Sequence, residues 1–393
     1  MSLLEKVSQF RTARDLQKAG LYHYFRVIES AQTNKVRING QDVIMLGSNN
    51  YLGLTNHPRV KEAAQQAIAK YGSGCAGSRF LNGTLDIHVE LEEKLARLVG
   101  KKAALVFSTG FMVNQGVIYS LVGRNDTVLV DRTDHASIID GCRLSFGHTR
   151  KYLHNDMESL AYTLKACEGN GKLIVLDGVF SMEGDIAKLP EIVDLAEKHD
   201  AVVMVDDAHG IGVMGRQGRG TCDHFGLTDR IHLIMGTFSK SLASVGGFIA
   251  SDESTIHFIK HIARSMIFSA SIPPASVASV SAAVDVMLEE EWRREHLWRN
   301  TKIMLERLQA AGFNTGESRT PIIPAIVGED ELAFLMCRRL FEEGVYVNPI
   351  ISPAVEKGRA LIRLSLMATH TEDEVHLAMD KMVQVGRELK VIP

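Results

Sequence analysis

The chain contains 393 residues, 45% of them hydrophobic, which is enough for roughly two or three domains with a large apolar core. Its formal net charge of −3 at pH 7 excludes a general electrostatic attraction to nucleic acid or to anionic membranes. The five cysteines are scattered without CxxC spacing, and no stretch approaches the ~20 apolar residues that span a bilayer. We therefore expect a cytoplasmic globular protein with no disulfide framework, no metal, no nucleic-acid partner and no transmembrane segment.

The first predicted region, residues 1–47, combines a helix with a pair of strands. Charged and apolar residues alternate over about 3–18 in a pattern typical of an amphipathic helix. A short strand pair is predicted around 35–45, with Asn39–Gly40 as its turn, since Asn-Gly is a strong hairpin signal.

The second predicted region, residues 48–285, alternates short apolar runs with helical periods, as at 85–98 and 189–198. Such alternation is typical of an α/β domain whose mostly parallel sheet is covered by helices on both faces. The candidate strands are 104–107, 127–130, 173–176, 202–205, 233–235 and 247–250.

The third predicted region, residues 286–393, reads as a smaller C-terminal α+β domain. It begins with a long charged helix over 289–311 and closes with a helix over 372–388. Short apolar runs at 345–347 and 361–364 are predicted strands.

Two motifs follow buried strands of the α/β region and indicate a cofactor. Lys240 stands among the hydroxyl residues Thr237 and Ser239 at one strand end, and Asp206 follows another strand. A lysine amine can form a Schiff base with an aldehyde cofactor, and a carboxylate can keep a pyridine nitrogen protonated so that the ring accepts electrons. These residues favour pyridoxal phosphate (PLP), with the two hydroxyls at its phosphate. Turn capping explains Asp206 or Asp207, taken alone, equally well.

Four further positions suit this cofactor, each with an ordinary structural explanation as well. His209 is spaced to hydrogen-bond the cofactor's phenolic oxygen, and His135 follows a strand end, where an imidazole could stack on a ring or hydrogen-bond a substrate carboxylate. Both could instead be buried structural histidines. The turn Ser108–Phe111 precedes a helix and could bind an anion, or be a simple tight turn. Arg363, among apolar strand residues, matches either a substrate α-carboxylate or an internal salt bridge.

Two other patterns do not predict a site, and one expected nucleotide-binding motif is missing. The glycine-rich segment Gly72–Gly77 lacks a preceding strand and a following GK[ST], and no GxGxxG follows the first strand of a βαβ unit. His257 and His261 are four residues apart on a predicted helix, but no third ligand accompanies them, so a metal site is not predicted. The missing GxGxxG motif disfavours dinucleotide binding.

In combination, the motifs resemble those of the α-oxoamine synthases, a branch of the fold-type I PLP enzymes, over nearly the whole chain. The resemblance implies a PLP-dependent acyltransferase with that fold. The matching segments are Ser48–Leu54, Gly83–Thr84, Asp134–Ser137, Gly236–Lys240, Arg363–Ser365 and Thr369–Thr371.

The same resemblance implies a role for each candidate residue. Lys240 would be the Schiff-base lysine and proton-transfer group, Asp206 would bind the pyridine nitrogen and His209 the phenolic oxygen. His135 would stack on the ring, take part in catalysis and, with Asn49 and Arg363, contact the amino-acid carboxylate. The remaining cofactor contacts would be Gly110, Phe111, Ser181, Thr237 and Ser239.

The resemblance also implies an obligate homodimer with its active sites at the interface. Ser269 and Ala270, within Phe268–Ser271, are similar to the family segment that reaches the cofactor phosphate from the partner subunit. A subunit that kept the fold without the chemistry is expected to lack the Schiff-base lysine, whereas Lys240 is present.

Within the family, Ser78–Thr84 and Phe238–Ser241 are most similar to the bacterial serine palmitoyltransferases. That similarity implies a decarboxylating condensation of L-serine with a long-chain acyl-CoA. His209–Gly212 is closer to the 8-amino-7-oxononanoate synthases, which use alanine and a pimeloyl thioester, and Arg26 could contact a polar acyl end or the CoA. Glycine with acetyl-CoA, a relaxed substrate specificity, and a transamination that uses no acyl-CoA also stay open.

Overall fold

The computed structural model describes residues 2–167 and 171–393. In chain order, the α-helices of these residues are α1 (Leu3–Ser8), α2 (Thr12–Lys18), α3 (Pro58–Tyr71), α4 (Asp86–Val99), α5 (Gly110–Leu121), α6 (Ala136–Leu144), α7 (Met157–Lys165), α8 (Leu189–Lys198), α9 (Thr221–His224), α10 (Glu253–Ile262), α11 (Arg264–Ile267), α12 (Pro274–Glu289), α13 (Trp292–Ala310), α14 (Asp330–Glu342) and α15 (Glu372–Glu388).

The strands of the same residues are β1 (Lys35–Ile38), β2 (Gln41–Met45), β3 (Ala103–Phe107), β4 (Thr127–Asp131), β5 (His148–Tyr152), β6 (Lys172–Asp177), β7 (Val202–Asp206), β8 (Leu233–Thr237), β9 (Gly247–Ser251), β10 (Ile322–Gly328), β11 (Val345–Tyr346), β12 (Asn348–Ile350) and β13 (Ala360–Ser365). None of the helices in this part of the chain combines the length and apolar character that a membrane span requires.

Two compact units make up the fold. One contains Met1–Ser48, Met182–Gly184 and Trp298–Pro393, and the other contains Asn49–Ser181 and Asp185–Leu297. The division into three domains at residues 48 and 286 stays a prediction.

The larger unit is built on a seven-stranded sheet in the order β3-β9-β8-β7-β6-β4-β5. Its strands from β4 to β8 pair in parallel, and β9 pairs antiparallel with both β3 and β8. The predicted mostly parallel sheet and all six of its predicted strands are confirmed. Strand β5 was missed because four of its five residues are exposed at the sheet edge, so it has no apolar run.

Helices cover both faces of this sheet, as predicted. Successive strand residues point to opposite faces, so Ile174 packs with α4 and α8 in one apolar cluster. Its neighbour Val175 packs with α5 and α6 in another. Because the parallel strands share a direction, their carboxyl ends form one edge, and Asp131, Asp177 and Asp206 stand there as the last residues of β4, β6 and β7.

The smaller unit contains two three-stranded sheets, β1-β2-β11 and β10-β13-β12. The predicted hairpin is confirmed, with Asn39 and Gly40 both at positive φ in its turn. The predicted strands near 345 and 361 are also confirmed, as is the closing helix α15.

Two helix predictions are wrong in their extent. The helix predicted over 3–18 is the pair α1 and α2, and neither has a buried residue that would hold the segment as one helix. The helix predicted over 289–311 begins at Trp292, because Glu290 leaves the helical conformation with φ −102° and ψ 69° and ends α12.

A charged histidine anchors the loop after β5 to the carboxyl edge of the sheet. His154 Nδ1 lies 3.0 Å from Asp131 Oδ1, and its Nε2 lies 3.0 Å from Asp185 Oδ2. Because each ring nitrogen faces a carboxylate, both carry protons. Burial acts to lower the pKa of His154, but hydrogen bonds to the two aspartates outweigh it and raise the pKa to about 10.

We predict that His154→Gln destabilises the protein by roughly 3 kcal/mol near neutral pH, because it leaves two largely buried carboxylates without their cation. Since the pKa of His154 is raised from 6.5 to about 10 on folding, its stabilisation is complete below about pH 6.5 and disappears as the pH rises through about 10. Urea unfolding from about pH 6 to pH 10 measures this difference.

The matched control is His148→Gln, at an exposed position on β5. We expect its unfolding midpoint to follow the unaltered protein at every pH. A stability difference for His154→Gln that stayed constant up to pH 10 would contradict the assignment of a charged imidazole.

Candidate active site

A cleft of about 300 Å³ opens at the carboxyl edge of the large sheet. Its walls include nine residues that the sequence predicted as cofactor contacts, although they come from distant parts of the larger unit. These residues are Gly110, Phe111, His135, Ser181, Asp206, His209, Thr237, Ser239 and Lys240.

Asp206 lies in the floor of the cleft, at the end of β7. It is 3% exposed, and it accepts hydrogen bonds from Asn114 Nδ2 at 2.7 Å and from the backbone N–H of Ala208 at 3.1 Å. Both donors are neutral, so the negative charge is oriented but not neutralised by them. A buried carboxylate in this state favours a cation in the cleft.

The adjacent acid, Asp207, has a structural role. It is fully buried and accepts from the backbone N–H of Thr221 at 2.7 Å and from Thr221 Oγ1 at 2.6 Å. Burial raises the pKa of Asp207 to about 7 in spite of these bonds. Asp207 therefore holds the start of α9, whereas Asp206 faces the cleft.

Two further buried acids lie beside Asp206. Asp177 accepts from the backbone N–H of His135 at 2.9 Å, and Asp134 accepts from the backbone N–H of Asp177 at 3.0 Å. Burial, together with the charge of Asp206, raises the pKa of Asp177, and burial together with Asp177 raises the pKa of Asp134. Because protonation neutralises these two acids, Asp206 is the carboxylate that can balance a protonated heterocycle at this end of the cleft.

The opposite end of the cleft suits a phosphate. Helix α5 starts there, capped by Thr109, whose Oγ1 accepts from the backbone N–H of Met112 at 3.2 Å. Thr237 Oγ1 and Ser239 Oγ lie 3.0 Å apart beside it. The helix N-terminus and the hydroxyls together supply N–H and O–H donors to an anion.

Three aromatic side chains complete the walls. His135 lies at the N-cap of α6, edge-on to Phe111 with ring centroids 6.3 Å apart. His209 Nδ1 lies 2.7 Å from the hydroxyl oxygen of Tyr51, which also lies 3.3 Å from Asn49 Oδ1. Asn49 is thereby linked to the His209 side of the cleft.

Four predicted contacts stand outside this set of wall residues, and Asn49 is one of them. Ser269 is half-buried and Ala270 is exposed, and the Ala270 carbonyl accepts a hydrogen bond from Ser108 Oγ. Arg363 belongs to the smaller unit, where it is 5% exposed on β13 and donates to Ser365 Oγ at 2.7 Å. Their roles stay predictions.

Sequence reasoning missed Asn114 and Tyr51, which hold Asp206 and His209. Asn114 lies within the largely apolar helix α5 and is fully buried. A polar residue inside an apolar helical stretch requires a hydrogen-bond partner. The position of Asn114 in such a stretch was the sequence signal that could have identified it. Tyr51 entered only as part of the Ser48–Leu54 motif.

The wall residues fit PLP at each of its polar groups. The Lys240 amine, the Asp206 carboxylate, the His209 imidazole and the donors at the α5 N-terminus correspond to its aldehyde, pyridine nitrogen, phenolic oxygen and phosphate. Among residues 2–167 and 171–393, no group of three or more histidine, cysteine, aspartate or glutamate side chains is arranged to hold a metal ion.

We predict that Gly110→Ala weakens PLP binding by about tenfold, as expected for overpacking of a close contact. A Cβ at Gly110 would lie 2.8 Å from Thr237 Oγ1 and 3.1 Å from its Cβ, so a methyl group would push into the phosphate end. Titration of the apoprotein with PLP, followed by absorbance, measures the dissociation constant.

Gly74→Ala is the control, because nothing lies within 4 Å of a Cβ built there. We expect it to bind PLP as the unaltered protein does. Equal affinities for the Gly110 and Gly74 variants would show that the phosphate end of the cofactor lies elsewhere.

Comparison with known proteins identifies the family. The sequence profile described as aminotransferase class I and II matches residues 41–382. A serine palmitoyltransferase of Sphingobacterium spiritivorum is 54% identical over 390 residues, which are 99% of this chain and 98% of that protein. An 8-amino-7-oxononanoate synthase of Thermoanaerobacter pseudethanolicus is 46% identical over 380 residues, 96% of each protein.

A solved structure agrees with these sequence comparisons. A variant of the serine palmitoyltransferase from S. paucimobilis with a bound PLP–myriocin aldimine has a TM-score of 0.97 to this chain at 37% identity, and each chain is covered over 100% of its length. The predicted fold-type I transferase fold is thus confirmed, as is PLP as the cofactor. The chain belongs to the aminotransferase class I and II family of PLP-dependent enzymes, in the group that contains the serine palmitoyltransferases.

Proposed function

We propose that the chain catalyses the decarboxylating Claisen condensation of L-serine with a long-chain acyl-CoA, palmitoyl-CoA, to give 3-ketodihydrosphingosine, CoA and CO2. This is the first step of sphingolipid synthesis. The observation that carries the proposal is the cleft in which Lys240, Asp206, His135 and His209 meet. The choice of substrates is supported by the full-length similarity to serine palmitoyltransferases.

Bound PLP supplies an aldehyde for the amines and a protonated ring that takes up the electrons released at the α-carbon of the amino acid. Asp206 keeps the proton on the pyridine nitrogen, because its buried charge is stabilised by a cation at that position. Lys240 would hold the cofactor through its amine and, with serine bound, would remove the α-proton and later return a proton. His209, supported by Tyr51, donates to the phenolic oxygen.

The amino-acid carboxylate must be held so that the bond to be broken stands perpendicular to the cofactor ring. His135, Asn49 and Arg363 are the proposed contacts for that carboxylate. The electron pair left by the α-proton would form the new bond to the thioester carbonyl carbon as the C–S bond to CoA breaks. The carboxyl group would then leave as CO2, and Lys240 would protonate the carbon it leaves. Holding both substrates in attack geometry is expected to supply much of the rate acceleration.

A second candidate keeps these steps and changes the substrates. The 46% identity to an 8-amino-7-oxononanoate synthase favours L-alanine with a pimeloyl thioester. Glycine with acetyl-CoA is a third combination for the same residues, since neither carboxylate binding nor α-proton removal depends on the amino-acid side chain.

The deciding experiment titrates the PLP-loaded protein with L-serine, glycine and L-alanine while its visible spectrum is recorded. We expect a saturable spectral change with L-serine, followed by CoA release when palmitoyl-CoA is added. A response to L-alanine with L-serine silent would move the proposal to the second candidate. A spectral change with release of a keto acid and no CoA would indicate transamination.

We predict that Lys240→Ala lowers the condensation rate by roughly 10³-fold or more, because it removes both the Schiff-base amine and the proton-transfer group. The rate of CoA release with L-serine and palmitoyl-CoA is the measurement. Lys260→Ala, at an exposed position on α10, is the control and is expected to retain full activity. Full activity of Lys240→Ala would overturn the proposed chemistry.

We also propose that the chain is a cytoplasmic homodimer in which Ser269 and Ala270 reach the cofactor phosphate of the partner subunit. In support, neither residue is among the walls of its own subunit's cleft, and both are at least partly exposed. The proposal places a functional contact across the interface, so subunit mixing can test it.

We predict that Lys240→Ala and Ser269→Tyr, each inactive as a homodimer, recover activity as a mixed dimer. One site of the mixed dimer would combine an intact Lys240 with the unaltered Ser269 of the other subunit, giving about half of the activity per dimer. Co-expression with two affinity tags isolates the mixed dimer. The control dimer pairs one chain that carries both changes with one unaltered chain, and this dimer is expected to be inactive. Activity in the control dimer and none in the mixed dimer would place Ser269 at the cofactor of its own subunit.

A further inference from the structure

A continuous chain of hydrogen bonds joins the carboxylate under the cleft to the imidazole in its wall. Asn114 Nδ2 donates to Asp206 Oδ2 at 2.7 Å and to Ser137 Oγ at 2.8 Å. Ser137 Oγ in turn lies 2.7 Å from His135 Nδ1. Asn114 and Ser137 are fully buried, at 0% and 1% exposure, so water does not compete for these bonds.

The orientation of the Asn114 amide follows from Asp206. An ionised carboxylate only accepts hydrogen bonds, so the NH2 group and not the oxygen must face it. The same nitrogen donates its second hydrogen to Ser137. Among residues 2–167 and 171–393, Asn114 Oδ1 has no hydrogen-bond partner, and this unfavourable burial is tolerated because rotating the amide would set its oxygen against the carboxylate.

The Asn114 amide therefore directs the Ser137 hydroxyl. Because Ser137 Oγ accepts from Asn114, its own hydrogen is available for His135 Nδ1. The backbone N–H of Ser137 also donates to Nδ1, at 3.3 Å. Two donors at Nδ1 require that this nitrogen carry no proton, so in the neutral ring the proton is on Nε2.

The ring is also kept neutral by its surroundings. Burial lowers the pKa of His135, and the nearby Lys240 ammonium lowers it further, while Asp206 acts in the opposite direction. A neutral imidazole has a single N–H. With Nδ1 turned to Ser137, Nε2 is the nitrogen left for the cleft that His135 lines.

Close packing of α5 on α6 sets the lengths of this chain. A Cβ at Gly141 of α6 would lie 2.9 Å from the carbonyl oxygen of Asn114 on α5. The absence of a side chain at Gly141 lets the helices approach closely enough for Asn114 to reach Ser137 in the first turn of α6.

We propose that Asn114 and Ser137 are positioning residues that hold His135 as its Nε2–H tautomer and so present one N–H donor to the cleft. That this donor binds the amino-acid carboxylate of the substrate rests on the proposed function. The assignment of the His135 tautomer does not depend on the proposed function. This chain of hydrogen bonds also couples two cofactor contacts, Asp206 and His135. The charge of Asp206 orients the Asn114 amide, and the N–H donor of His135 depends on that orientation.

The test is ¹⁵N NMR of the apoprotein labelled with ¹⁵N-histidine, with the His135 signals assigned by their loss in His135→Gln. Two-bond couplings to the ring protons distinguish the protonated nitrogen from the bare one. In the unaltered protein we expect a bare Nδ1 and a protonated Nε2. In Ser137→Ala and in Asn114→Leu we expect averaged signals from both tautomers.

Ser120→Ala is the matched control. Ser120 lies on α5, as Asn114 does, and its hydroxyl donates to the carbonyl of Gly116 outside the chain of hydrogen bonds from Asp206 to His135. It is expected to leave the His135 signals unchanged. Ser137→Ala is the smaller of the two test changes, so it remains informative if Asn114→Leu does not fold. A proton on Nδ1 in the unaltered protein, or a fixed tautomer in Ser137→Ala, would overturn the proposal.

A kinetic readout distinguishes positioning from a general loss of structure. We expect Ser137→Ala to raise the KM for L-serine about fivefold, the equivalent of one hydrogen bond, with little change in the affinity for PLP. Because the NMR result is obtained without cofactor or substrate, it stands even if L-serine proves not to be the amino acid used.

Discussion

The carboxylates at the carboxyl edge of the large sheet impose the constraint on which the site depends. Because β4, β6 and β7 run in parallel and end level with one another, their last residues, Asp131, Asp177 and Asp206, are buried near each other. Buried like charges are unfavourable unless each is protonated, hydrogen-bonded or neutralised by a cation. The fold uses a different solution at each position.

At Asp131 the solution is the charged imidazole of His154. At Asp177 it is protonation, since burial and the charge of Asp206 raise its pKa, with a backbone N–H as a further donor. Asp206 accepts hydrogen bonds from the neutral donors Asn114 and Ala208, and the amine of Lys240 lies in the wall of the same cleft. The negative charge of Asp206 faces the cleft, where the protonated ring nitrogen of PLP can balance it. The need to compensate these buried carboxylates therefore also favours a protonated pyridine ring in the cleft.

The sequence predicts the sheet well because parallel strands buried on both faces are continuous apolar runs. Strand β5 lacked that signal, since its residues are mainly exposed. The strand-end residues were found because a parallel sheet brings such positions together wherever they lie in the chain. Asp206 was predicted at the pyridine nitrogen, but turn capping stayed open for Asp206 and for Asp207, because the tertiary surroundings that give each acid its role are not visible in the local sequence.

The supporting residues are harder to predict for the same reason. Asn114 and Asp206 are 92 residues apart in sequence, and Tyr51 and His209 are 158 apart. Neither pair has local spacing that would mark it. What local sequence does contain is the anomaly of a buried asparagine in an apolar helix, which predicts that a partner exists without identifying it.

A neutral N–H donor at His135 has a consequence for the proposed reaction. The amino-acid carboxylate must be held firmly enough to orient the α-proton for removal, yet it must later leave as uncharged CO2. A hydrogen bond from an imidazolium is roughly twice as strong as one from a neutral ring, so a charged His135 would stabilise the carboxylate and oppose its loss. The environment that lowers the pKa of His135 therefore favours decarboxylation. The hydrogen bonds from Ser137 keep the Nε2–H of His135 pointing in the direction that orients the substrate.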